Sequence, residues 1–144
     1  MTTIAYRDGV LASDSRLTFV DYVCTDKCIK VWALPDGTLF GASGDNEGGL
    51  ALLKSLRAGE PMKTEVDSDF TAIRILPKGQ IFITEGKLWD RWPERFVAIG
   101  SGGKYALAAM RSGADAVTAV KAGIALDIYS GGRIQQVKLK RKPK

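Results

Sequence analysis

The chain has 144 residues, a net charge of +5 and an apolar fraction of 45%, enough for a single domain with its own core. No apolar run approaches the roughly 18 residues of a membrane helix, and histidine is absent, which excludes Cys/His zinc sites and Ser-His or Cys-His catalytic pairs. The charge sits in one place: Lys138, Lys140, Arg141, Lys142 and Lys144 carry all of it, leaving the body formally neutral and arguing against a broad nucleic-acid-binding face.

Two further expectations follow from composition. The first residues lack a basic segment followed by a long apolar one, so no secretory signal is expected and the placement is cytoplasmic. Cys24 and Cys28 are read as small buried hydrophobes in a reducing compartment. No metal or cofactor is expected. Residues 1–137 form one domain, and 138–144 form a basic tail, either a solvated terminus or a contact for an acidic partner.

In chain order, Thr2 stands directly behind Met1, an initiator that a small neighbour normally allows to be removed. Asp8-Gly9 between two apolar runs predicts a two-residue hairpin loop. Arg7 then pairs with Val10, and Thr3 comes to face Asp14. Residues 15–24 read as irregular strand or loop. In the next run, Cys28, Trp32 and Leu34 fall on one face and Ile29, Val31 and Ala33 on the other, a strand covered on both sides. Lys30 lies in its middle and must either reach an edge or find a carboxylate, because an unpaired buried ammonium is very costly. Pro35-Asp36-Gly37 turns the chain into a second hairpin.

Gly41-Ala42-Ser43-Gly44 reads as a small-residue corner, with Asp45-Asn46 able to cap the helix that follows. That helix, 46–58, places Leu50, Leu53 and Leu56 at helical spacing, and Gly59 with Pro61 stops it. Backbone N–H groups at such a corner suit a developing oxyanion, although most glycine turns are only turns. Residues 70–76 and 80–84 form a third hairpin around Pro77-Lys78-Gly79. Trp89 and Trp92 either line a groove or pin their loop to the core. Residues 96–100 form a strand, and Ser101-Gly102-Gly103 breaks into a short helix over 105–110. A longer helix follows, with Val117, Val120, Ile124 and Ile128 on one face. Asp127 falls close to this apolar stripe, at a C-terminal end where the helix dipole disfavours it; a local rule broken in this way often marks a site. Ser130-Gly131-Gly132 ends the helix, and 133–139 alternates as a closing strand.

These blocks, in this order, resemble the N-terminal-nucleophile hydrolases of the proteasome β-subunit and HslV-like peptidase type. The resemblance covers most of the chain. It rests on Thr2-Thr3-Ile4, Ala12-Ser13-Asp14, Ile29-Lys30-Val31, Gly44, Ala98 to Gly103 followed by Tyr105-Ala106, and Asp127-Ile128-Tyr129-Ser130-Gly131-Gly132. It implies an α+β fold, a four-layer αββα sandwich of antiparallel sheets. It also implies a threonine peptidase in which Thr2 is the nucleophile after loss of Met1 and its own amine is the base. Lys30 would lower the amine's pKa, Asp14 would hold Lys30, and Gly44 would stabilise the oxyanion. Ser101, Asp127 and Ser130 would orient the amine, and Thr18 would hold the substrate strand.

The implied partners are a peptide or unfolded protein and further copies of the chain in a ring, with an unfoldase ATPase as a possible docking partner. The chain departs from the family pattern in two places. Its first hairpin is shorter, and one helix replaces two after the glycine corner, because 60–69 is too short and polar for a second. The first helical layer, where the ATPase would dock, is thus reduced. Two other readings stay open: a catalytically silent, ring-forming structural protein such as one carried by a tailed phage, and hydrolysis of a different amide by the same threonine device.

Overall fold

Asp8 and Gly9 both adopt left-handed backbone, with φ of 50° and 84°, the geometry of the tight turns that match strand twist. In the computed structural model, which describes residues 1–44, 46–59, 69–85 and 88–141, this turn joins β1 (Ile4–Arg7) to β2 (Val10–Ser13). Arg7 pairs with Val10 and Ile4 with Ser13, the register expected from the sequence. A small separate hairpin follows, β3 (Leu17–Phe19) and β4 (Tyr22–Thr25). Next come β5 (Val31–Ala33), β6 (Leu39–Gly44) and helix α1 (Asn46–Ala58). Strands β7 (Phe70–Ile75), β8 (Ile81–Thr84) and β9 (Asp90–Arg91) lead to β10 (Phe96–Ile99). Helices α2 (Gly103–Arg111) and α3 (Ala116–Leu126) precede the closing β11 (Gln135–Lys138).

Two antiparallel sheets result, one ordered β10-β1-β2-β11 and the other β5-β6-β7-β8-β9. The side-chain period of two divides the core into three seams. Ile4, Tyr6, Leu11, Val97 and Ile99 of the first sheet face Val31, Leu39, Ile73, Ile75 and Ile81 of the second. On its other face the first sheet presents Ala5, Ala12 and Ala98 to α2 and α3, which contribute Ala106, Met110, Ala119 and Val120. Alanines there let the helices approach closely. The outer face of the second sheet, through Phe40, Phe70 and Ala72, packs on Leu52 and Leu53 of α1. The architecture is therefore the expected four-layer αββα sandwich, with α1 alone in its layer among the described residues. None of the described helices is long and apolar enough to cross a membrane.

Several local expectations need correction. Cys24 is exposed and Cys28 only half-buried, because Cys24 lies on the separate hairpin and Cys28 on the loop before β5. Ile29 is 58% exposed and Ala33 is exposed as well, so of the face expected to carry Ile29, Val31 and Ala33 only Val31 is buried. Gly41 to Gly44 continue β6 rather than turning; the corner is at Gly44, with φ 97°. Leu50 is exposed, and the buried contacts of α1 come from Leu52 and Leu53. Ile128 is exposed as well, because α3 ends before it. Asp45, the Asn46 side chain and 60–68 lie outside the described residues, as do 142–144 of the basic tail. Trp92 does pin its loop, packing on the inter-sheet core and donating its indole N–H to the Phe96 carbonyl at 3.0 Å. Leu139 N–H donates to Gly9 O at 2.8 Å, fastening the end of the last strand to the first turn.

Candidate active site at the amino end

Register places Asp14 beside the start of β1. Asp14 is fully buried, and its carboxylate is ringed by donors. Oδ1 accepts from Thr3 N–H at 3.1 Å and from the Lys30 ammonium at 2.9 Å. Oδ2 accepts from Arg16 N–H at 3.2 Å and Gly131 N–H at 3.0 Å. Of the two fates open to Lys30, the structure takes the carboxylate. Its remaining reach is directed at residue 1, since Nζ also donates to the Met1 carbonyl at 3.0 Å. That carbonyl belongs to the peptide bond whose nitrogen is Thr2 N, so the ammonium lies close to the amine a chain starting at Thr2 would have.

The same peptide is held from the other side. Thr2 N–H donates to Ser101 Oγ at 3.1 Å. Ser101 and Ser130 each donate to Asp127 Oδ2 at 2.6 Å, and Tyr129 N–H reaches Oδ1 at 3.2 Å. Asp127 is the residue that caps the C-terminal end of α3, with extended backbone. It is therefore turned out of the helix rather than lying on its stripe, while remaining buried. Burial alone would raise its carboxyl, but the hydroxyls of Ser101 and Ser130, Tyr129 N–H and the charged amino terminus hold it below the usual 3.8. Met1's amine is displaced downward from 8.0, by burial first and by the nearby Lys30 second.

Small residues make this convergence possible. A Cβ on Gly100 would strike the Thr2 backbone, and one on Gly102 or Gly123 would strike the Thr3 side chain. The Thr2 carbonyl accepts from Gly102 N–H at 3.0 Å, locking β1 to the turn before α2.

Gly44 lines one open cleft with Met1, Thr2, Lys30, Leu17 and Trp32, and a second with Thr2 and Ser101. Sequence reasoning thus brought together Thr2, Asp14, Lys30, Gly44, Ser101, Asp127 and Ser130. Thr18 stands slightly apart: it is on β3 next to Leu17, which lines the first cleft where Thr18 does not.

Two contributors were missed. Thr3 is fully buried, with its hydroxyl 2.7 Å from Ser130 Oγ. Arg16 lies over Gly131 and is held by Asp26 through contacts of 2.9 and 3.2 Å. Thr3 carried a signal, a polar residue beginning a buried strand; Arg16 carried none.

Among solved structures, the chain is similar to eukaryotic HslV from Trypanosoma brucei, with a TM-score of 0.74 and 20% identity over 95% of this chain and 98% of that one. It is also similar to BPH of Thiobacillus denitrificans. In complex with epoxomicin, the TM-score is 0.67 at 21% identity, over 97% of this chain and 99% of that one. A second BPH structure gives 0.66 at 18%, over 96% and 98%. No protein-family model matches the chain, and no curated protein matches it. At these identities the likeness shows the fold, that of the proteasome β-subunit-like N-terminal-nucleophile hydrolases.

Proposed function

We propose that the chain is a threonine peptidase whose nucleophile is Thr2 once Met1 has been removed. One observation carries the reading. The buried Lys30–Asp14 pair and the Ser101–Asp127–Ser130 cluster grip the Met1–Thr2 peptide from opposite sides.

In this reading the freed Thr2 amine donates one N–H to Ser101, which leaves its lone pair available to the Thr2 hydroxyl. The neutral amine takes that proton, directly or through a water, and Oγ attacks the peptide carbonyl. Gly44 N–H stabilises the oxyanion. The tetrahedral intermediate collapses as the proton passes to the leaving nitrogen, leaving an ester on Thr2. Water, deprotonated by the same amine, then hydrolyses the ester and releases the acid. Burial and Lys30 keep the amine unprotonated near neutral pH; the Met1 amine, one residue further out, is lowered by burial first and by Lys30 second.

The substrate is a peptide or unfolded segment lying along β3 near Thr18, with a side chain in the cleft walled by Leu17, Trp32 and Leu50. A ring of identical chains fits the exposed apolar residues Phe19, Val20 and Tyr22 beside that cleft.

Intact mass and turnover test the proposal together. Loss of Met1, peptide hydrolysis by the native chain and its abolition in Thr2→Ala support it. Uniform retention of Met1 with no reaction toward a threonine-directed electrophile replaces it with the silent-scaffold reading.

A further inference from the structure

We infer that Thr3 is a positioning residue for the Thr2 amine, acting through Ser130 and Asp127. The inference rests on the peptidase reading, but the geometry behind it does not.

Each serine hydroxyl has one proton. Ser130 and Ser101 both direct theirs to Asp127 Oδ2 at 2.6 Å, and an ionised carboxylate only accepts. The Ser130 oxygen is therefore the acceptor in its 2.7 Å contact with Thr3 Oγ1, and Thr3 is the donor. On the other arm the Ser101 oxygen accepts from Thr2 N–H. The network thus runs inward from two consecutive residues: from Thr3 through Ser130, and from Thr2 through Ser101, to a single carboxylate oxygen.

With Thr3 donating, Ser130 has no reason to turn away, so Asp127 keeps both donors and stays ionised. Asp127 in turn fixes which face of Ser101 is left to receive the Thr2 amine. Thr3 cannot be replaced by water, because it is fully buried. Nor can it change rotamer freely, since Gly102 and Gly123 lack a Cβ where its side chain lies. The charged group facing Asp127 is the amino terminus, with Lys30 and Asp14 beyond it around the same peptide; its other neighbours are Ser101, Ser130 and Tyr129 N–H.

The experiment compares Thr3→Val, which keeps the shape, with Thr3→Ser, which keeps the hydroxyl, in the full chain. Two readouts are taken: the pH profile of peptide hydrolysis and the midpoint of acid unfolding. In Thr3→Val, kcat falls about tenfold, as expected for one lost buried hydrogen bond, while KM holds. The acid limb of the profile and the unfolding midpoint both move to higher pH. Thr3→Ser stays near the native values in both.

Thr3→Ala, which removes the hydroxyl without adding volume, moves the midpoint in the same direction, and it decides the matter should Thr3→Val not fold. Native limb and midpoint in Thr3→Val, or a native midpoint in Thr3→Ala, overturn the inference. A native chain that hydrolyses nothing sinks the peptidase reading instead, and leaves the unfolding comparison valid.

Discussion

Lys30 and Asp14 meet at 2.9 Å with side-chain exposures of only 6% and 0%. The two halves of this pair are not equivalent. Asp14 has three backbone N–H donors besides the lysine, whereas the ammonium's other partner among the described residues is the Met1 carbonyl. Breaking a buried pair by removing one member costs roughly 3–5 kcal/mol. Asp14→Ala strands both a charge and three amides, so it is expected to reach or exceed the top of that range. Lys30→Met leaves a carboxylate still partly satisfied and is expected at or below the lower end. Chemical denaturation of the two variants gives the order; equal losses would contradict it.

Gly123 lies inside α3, where alanine normally favours the helix by about 1 kcal/mol. Here the added methyl meets the Thr3 side chain, and overpacking costs about 1–3 kcal/mol. Gly123→Ala is therefore expected to destabilise. In a Thr3→Ala background the two closest contacts go but the Cβ of residue 3 stays 2.9 Å from the added methyl, so the same change is expected to cost less without becoming neutral. A double-mutant cycle by thermal unfolding measures this coupling.

The pH dependence of stability has a definite sign. Asp127 is held below 3.8 in the folded chain, so the stability it contributes is present above that value and is lost as pH falls through its folded pKa. In the chain that keeps Met1, its amine is lowered from 8.0, so the unfolded chain binds more protons just below pH 8, and stability rises toward pH 8 from the acid side. Because the two charges shift each other, Asp127→Asn is expected to flatten mainly the acid side, and acetylating the terminal amine mainly the neutral side. Urea midpoints across pH separate the two.

Cys28 lines the cleft beside Lys30 and Trp32, whereas Cys24 is exposed on β4. Alkylation by a bulky reagent is expected to block peptide turnover through Cys28. Cys28→Ser should confer resistance and Cys24→Ser should not. Turnover after labelling, with the modified residue located by mass, checks it.

The sequence was informative where a residue broke its own local rule. A lysine in an apolar run and an acid near an apolar stripe each demanded a partner, and both are in the site. The Asp8-Gly9 turn fixed the first hairpin's register, and with it the approach of Asp14 to Thr3. Periodicity misled where elements stopped early. Ile29 and Ile128 lie just outside β5 and α3 and are exposed, because an apolar pattern does not mark where hydrogen bonding ends. The link from Thr3 to Ser130 spans 127 positions, and no local pattern encodes a contact at that distance.

That distance bears on how the protein is made. The sheet order β10-β1-β2-β11 seats the first strand between its turn partner and a strand from the far half of the chain, and Asp127 and Ser130 follow later still. On the peptidase reading, a nascent chain that has made only its first hairpin still lacks the groups that would make Thr2 reactive. Hydrolysis by such a half-built molecule is withheld, on that reading, until the segment through Ser130 has emerged and packed.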